Sequence, residues 1–383
     1  MTGPVAFLFL GETLLIPHLF PIVEALAEAS DVPIDLWVST SVHEALLGAW
    51  IGNDNVRVRR APGFRSVSDA ASGRNPKLPF KPLMLAGMVP HLRGVPVAVC
   101  AEQTSLWLPT LLRLRTRFVK TAHGAGSMSA RADRRRRAAS LTFVPAEQEK
   151  AALVGHGVDP ATIHTIGYVK ASFRQRSPAR SFFPDQKPIL LYTPHWQAHR
   201  SSWPDWGKKL VEMLAAQDRY NVIFAPHQRL VETAPEVREV MAEVAAIPHV
   251  HCDLDSFAMV DGSYTAAADI YLGDTSSQVG EFLARPRPCI FLNPWRRAWA
   301  DDPSYAQWHC GQVIDSLDAL FPAIDAAPQL QSGFAARQGA FARAALGDTS
   351  GAAPKRAAEL ILQLLAEAQS GKGSRGGAET RRG

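Results

Sequence analysis

The stretch ADIYLGDTSSQVGEFLARPRPCIFLNP, Ala268 to Pro294, decides the fold. It reads as a short apolar strand, a turn of small polar residues, a helix and a second apolar strand, which is one strand–helix–strand unit of a parallel sheet. Asp274 leaves the first strand. Thr275, Ser276 and Ser277 then bring hydroxyls and backbone amides to a helix start, where N–H groups can hold phosphate oxygens. Glu281 follows Ser277 by four residues and projects from the same helix face. The competing reading is ordinary capping, for which Asp and Ser are preferred residues.

The same rhythm runs outward in both directions. Toward the C-terminal half, strands are expected at Ile189 to Thr193, Val222 to Ala225, Asp269 to Gly273 and Cys289 to Leu292, with helices such as Trp206 to Ala216 and Val231 to Ala245 between them. Toward the N-terminus the apolar runs are Val5 to Leu10, Ile34 to Val38, Val56 to Arg59, Val97 to Cys100, Phe118 to Ala122, Leu141 to Val144 and Thr162 to Ile166. The segment ASFRQRSPARSFFPDQK, Ala171 to Lys187, loses periodicity and marks a boundary. The expected class is therefore α/β, with two doubly wound Rossmann-like domains, 1–175 and 188–347, facing across a cleft. A C-terminal helix over 353–369 and a tail over 370–383 with the composition of a disordered segment complete the chain.

Composition narrows the classes. With 383 residues, 46% hydrophobic and 20% charged, the chain is neither fibrous nor disordered, and a net charge of +5 is too low for the dense basic and aromatic interleaving of a nucleic-acid binder. Cys100, Cys252, Cys289 and Cys310 form no CxxC pair, which argues against a zinc ribbon or a disulfide framework and suits a reducing cytosol. The apolar opening VAFLFL lacks a preceding basic residue and is soon broken by Gly11, Pro17 and Pro21, so it reads as a buried strand rather than a leader or a span. Asp253-Leu254-Asp255 and the nearby His249, His251 and Cys252 are weak metal patterns, and no metal or cofactor is expected. Arg131 and Arg134 to Arg137 form a solvated basic face or a contact for an anionic leaflet.

In open parallel sheets ligands bind beyond the carboxyl ends of the strands. Those ends carry Gly11-Glu12, His123-Gly124, Thr193-Pro194-His195-Trp196, Pro226-His227-Gln228, Asp274 to Ser277 and Asn293-Pro294-Trp295. Gly124 lets a backbone approach a ligand, His123 can accept a proton near neutral pH, and His227 with Arg229 can oppose a phosphoryl group. Each histidine taken alone is equally a structural strand-end residue.

The order of these motifs from Phe118 to Pro294 resembles the CDP-glycerol glycerophosphotransferase family, the teichoic-acid primases and polymerases. The resemblance implies a GT-B fold, His123 as the base on an acceptor hydroxyl, and His227 as a contact to the transferring phosphate. Gly124, Thr193, His195, Asp274, Thr275, Ser276, Ser277 and Glu281 would line the donor site. It further implies a nucleotide-activated donor such as CDP-glycerol, a lipid-linked or polysaccharide acceptor of the cell envelope, and a cytoplasmic enzyme peripheral to the inner membrane. The chain departs from the family at Ala122, Phe224 and Gln228, where the family has Trp, Arg and Pro. A sugar-nucleotide enzyme, such as a UDP-N-acetylglucosamine 2-epimerase or a glycosyltransferase, is the alternative reading.

Overall fold

The computed structural model describes residues 3–124 and 133–370. Arg131 and the tail from 371 onward, which figure in the sequence reading, lie outside the described residues. The chain divides into two compact units.

Unit 1 holds β1 (Val5–Phe9), α1 (Ile16–Ala29), β2 (Ile34–Thr40), α2 (Ser41–Trp50), β3 (Val56–Arg65), α3 (Lys81–His91), β4 (Val97–Cys100), α4 (Trp107–Leu111), β5 (Arg117–Thr121), β6 (Leu141–Val144), α5 (Glu147–Gly155) and β7 (Ile163–Thr165). Its seven strands are ordered β3-β2-β1-β4-β5-β6-β7, and every pairing is parallel. β1 and β4 are completely buried, because a parallel sheet covered on both faces needs apolar residues at every position rather than alternate ones. One face of the sheet packs Ala6, Leu8 and Cys100 against Met84 and Met88 of α3.

Unit 2 holds β8 (Ile189–Thr193), α6 (Lys208–Ala215), β9 (Asn221–Phe224), α7 (Gln228–Thr233), α8 (Glu236–Val244), β10 (Val250–Cys252), α9 (Ser263–Ala267), β11 (Ile270–Gly273), α10 (Ser277–Phe282), β12 (Cys289–Leu292), β13 (Gln312–Ile314) and α11 (Leu320–Leu346). The six strands are again parallel, in the order β10-β9-β8-β11-β12-β13. The helix expected over Val231 to Ala245 is two helices, since Pro235 lacks the N–H a continuous helix needs and α8 starts afresh after it. The last helix, α12 (Ala353–Gln369), belongs to unit 1 and packs on α1. Gly347 makes that return with φ +63°, and a Cβ there would sit 2.0 Å from the Pro145 carbonyl oxygen. Among the described residues no helix is long and apolar enough to cross a membrane.

Both strand orders reverse direction at one place, between β1 and β4 in unit 1 and between β8 and β11 in unit 2. At such a switch point neighbouring loops leave the sheet on opposite sides and open a crevice beyond the strand ends.

Candidate active site

In unit 2 the crevice is built by the residues after β8, β9 and β11. Asp274 is 1% exposed, and its Oδ2 accepts the backbone N–H of His195 at 2.8 Å and of Ser202 at 3.0 Å. It thus pins both ends of the loop between β8 and α6. Burial lifts its carboxyl from 3.8 to about 7, against the pull of those amides. Thr193 donates to the Tyr271 hydroxyl at 2.9 Å, and Tyr271 donates to the Asp274 carbonyl at 3.2 Å. Thr193 and Asp274 therefore shape the crevice from behind.

Ser276 is the N-cap of α10, its hydroxyl accepting from Gln278 N. Its backbone is clamped by Gln307, which accepts from Ser276 N and donates to Ser276 O, both at 2.9 Å. α10 is only six residues long, so the Ser277 end offers local donors rather than a strong dipole. Ser277 is exposed and Glu281 half-buried. The Thr275 hydroxyl is buried with no hydrogen-bond partner among the described residues.

Two histidines stand at the β8 and β9 ends. His195 Nδ1 accepts the N–H of Gln197 at 3.0 Å, and His227 Nδ1 accepts that of Arg229 at 3.2 Å. Burial lowers both rings to about 4, helped by His227 in the first case and Arg229 in the second, so both are neutral near pH 7. With the lone pair of Nδ1 taken up, each ring carries its proton on Nε2 and presents a donor. The ring centroids are 6.4 Å apart; Trp196 stacks on His195, and the Arg229 guanidinium lies 5.1 Å over the Trp196 ring.

In unit 1, His123 follows β5 and its Nδ1 lies 2.9 Å from the Ala101 carbonyl oxygen. A carbonyl only accepts, so Nδ1 carries the proton and the lone pair is on Nε2. Burial, and then the Lys120 ammonium, lower this ring to about 4. Gly124 adopts φ +86° with open space where a Cβ would point.

Around His123 stand residues that the sequence reading did not assign. His18 lies edge-on at 6.5 Å and is itself packed on Tyr168. Burial and Lys170 hold His18 well below its usual range. Lys81 donates to the Leu10 carbonyl at 2.7 Å and pairs with Glu102, which also accepts from Ser105 at 2.6 Å. These groups lie far apart in sequence and meet only because β1, β4 and β5 are neighbours.

The DxD pattern has another use. Asp253 accepts from Ser256 N, Ser256 Oγ and Tyr264 Oη, a turn rather than a metal ligand set. Among the described residues no cluster of His, Cys, Asp and Glu could hold a metal ion. The arginine run is partly engaged as well: Arg135 pairs with Asp133, and Arg137 donates to the His156 carbonyl.

No model of a known protein family matches the chain, and no curated protein matches it in sequence. Solved structures do match. A histidine-to-asparagine variant of the wall teichoic acid polymerase TagF aligns with a TM-score of 0.63 at 11% identity, over 97% of this chain and 90% of that one. The UDP-GlcNAc 2-epimerase of Methanocaldococcus jannaschii gives 0.60 at 14% identity, over 94% and 99%. S. aureus MnaA with UDP gives 0.61 at 13% identity, over 96% and 97%. The chain has the GT-B fold. That agrees with the distant resemblance read from its motifs, and the likeness to polymerase and epimerase alike is one of fold. The polymerase was soaked with CDPG, and MnaA was solved with UDP.

Proposed function

We propose that the chain is a transferase that takes a nucleotide-activated donor and moves glycerol phosphate, or a related polyol phosphate or sugar, onto an acceptor hydroxyl of the cell envelope. The observation that carries this reading is the opposed protonation of three strand-end histidines. His195 and His227 each offer an Nε2–H donor, which suits phosphate oxygens, whereas His123 offers an Nε2 lone pair, which suits a hydroxyl proton.

In the glycerophosphate reaction the acceptor oxygen bonds to the phosphorus bearing glycerol, and the P–O bond to the departing CMP breaks. The acceptor proton passes to His123 Nε2. With its ring lowered to about 4 by burial and by Lys120, His123 is neutral near pH 7 and its Nε2 lone pair is open to that proton. His195, His227 and the Ser276–Ser277 turn oppose charge on the phosphates, and the orphan Thr275 hydroxyl gains a partner from the donor. Glu281 would accept from donor hydroxyls.

The test uses asparagine, which retains the backbone bond made through Nδ1 and deletes Nε2. Calorimetric titration with CDP-glycerol, CMP, UDP-N-acetylglucosamine and UDP is run on the wild type and on His227→Asn and His123→Asn. His227→Asn should weaken the best nucleotide roughly tenfold or more, the loss expected for one hydrogen bond to a charged group. His123→Asn should bind it within about threefold yet lose roughly a hundred to ten thousand-fold in turnover. Binding of uridine but not cytidine nucleotides would move the assignment to the sugar-nucleotide enzymes, and no nucleotide binding would refute it.

A further inference from the structure

The crevice of unit 2 is short of positive charge. A donor diphosphate brings a negative charge on each phosphorus, yet the groups set to meet it, the His195 and His227 rings and the hydroxyls of Thr275, Ser276 and Ser277, are uncharged near pH 7. Asp274, which backs them, is an acid. An anion leaves water at a cost that neutral donors only partly offset, so the site calls for a cation close by.

The next strand end carries two. β12 pairs with β11 so that Phe291 faces Gly273, which sets Asn293 level with Thr275 at the carboxyl edge of the sheet. Asn293 is 4% exposed and ties a tight loop: its Oδ1 accepts from Arg297 N at 2.9 Å, its Nδ2 donates to the Arg297 carbonyl at 3.2 Å, and its own carbonyl accepts from Arg296 N at 3.1 Å. Arg296 takes φ +52° to make this turn, a left-handed backbone that only Asp69 shares among the described residues other than glycine. Glycine would close the same loop without strain, so what the position retains is the guanidinium. Arg297 stacks 4.8 Å over the Trp295 ring, Arg296 Nε reaches the Asp315 carbonyl at 3.4 Å, and neither forms an ion pair among the described residues. The loop is also fixed relative to the donor turn. Trp299 at its foot packs edge-on against Trp308 at 5.8 Å, and the neighbouring Gln307 is the clamp on the Ser276 backbone.

We infer that Arg296 and Arg297 are the cations that receive the donor's diphosphate, and that they make the site select nucleoside diphosphates over monophosphates. The inference rests on the transferase reading and extends it to a strand end which that reading leaves unused. A guanidinium offers paired N–H donors to two phosphate oxygens at once, and a loop pinned by a buried asparagine presents it ready aimed. The selectivity bears on turnover. Transfer of glycerol phosphate leaves CMP, whose single phosphate spans only part of the arginine pair, so the product is held less tightly than the donor it came from.

The experiment is calorimetric titration of the full chain with CDP, CMP, UDP and UMP. It is run on the wild type, on Arg296→Gln/Arg297→Gln and on Arg296→Gly, all at exposed positions, with thermal unfolding as the check on folding. The wild type should bind the diphosphate of its preferred base roughly tenfold or more tighter than the monophosphate. The double variant should bring that ratio to within about threefold, by losing diphosphate affinity while monophosphate affinity stays. Arg296→Gly should be as stable as the wild type, because glycine takes the left-handed backbone freely, and should still lose part of the ratio. A folded double variant that keeps the wild-type ratio, or that loses diphosphate and monophosphate affinity equally, would overturn the inference and leave the transferase reading standing. A wild type that binds no nucleotide would overturn both.

Discussion

Asp274→Asn separates the charge of this carboxylate from its hydrogen bonds. Oδ2 accepts from both His195 and Ser202, and Oδ1 takes a second branch from Ser202 at 3.1 Å, so an amide oxygen in place of Oδ2 keeps a bond to each amide and loses only that branch while the charge is removed. Burial raises the carboxyl from 3.8 to about 7. A pKa raised on folding gives stability that is complete below the unfolded value and lost as pH rises through the folded one. Between pH 5 and pH 8 the unfolded chain has already released this proton while the folded chain surrenders it, which costs the wild type about 3 kcal/mol. Asparagine has no such loss. The stability of Asp274→Asn relative to wild type should therefore improve by about 3 kcal/mol from pH 5 to pH 8. Urea unfolding followed by tryptophan fluorescence reads it, since Trp196 and Trp203 lie on or beside the pinned loop. A relative stability that stays constant with pH would refute the argument. Asp274→Ala removes the acceptor altogether and should be about 2–4 kcal/mol less stable than Asp274→Asn at both pH values, because the amide of Ser202 is left buried and unpaired.

Other outcomes follow from the same geometry. His43 is buried beside Thr40 at 2.8 Å, and burial lowers it from 6.5 to about 4. Its contribution is complete above pH 6.5 and lost as pH falls through 4, so His43→Asn should flatten the acid limb of unit 1 unfolding by about one proton, or roughly 3 kcal/mol across that window. An unchanged slope would show that His43 protonates in the folded chain as easily as in the unfolded one. Gln307→Leu breaks both bonds to the Ser276 backbone and should cost about 1–3 kcal/mol in stability. It should also weaken nucleotide binding in calorimetry, since the turn loses its clamp, and full affinity in a destabilised variant would show that the clamp serves only the fold.

The parallel sheets were legible because buried strands are unbroken apolar runs, as in Val97 to Cys100 and Cys289 to Leu292. The short strands β10 and β13 were not, since VHC and QVI are three residues long and each includes a polar residue. α11 escaped because Pro328 and Gly333 interrupt what is one helix of 27 residues. At the site, strand ends pointed to His123, His195 and His227, but which nitrogen holds the proton depends on the Ala101 carbonyl and on the Gln197 and Arg229 amides. Asp274 read as a ligand-facing group for a related reason. Nothing in the sequence says that the loop after β8 folds back over it. His18, Lys81 and Glu102 carried no signal, because each is an isolated polar residue in sequence and their proximity is a product of strand order.

The return of α12 to unit 1 fixes an order of events during synthesis. Unit 2 has all its strands and α11 once Leu346 has been made, and can close while the rest of the chain is still inside the ribosome. Unit 1 began first, yet α1 lacks its covering helix until Ala353–Gln369 arrives. Until then the apolar side of α1 is open to solvent, so the nascent N-terminal half stays the more exposed to aggregation, although it is the older half.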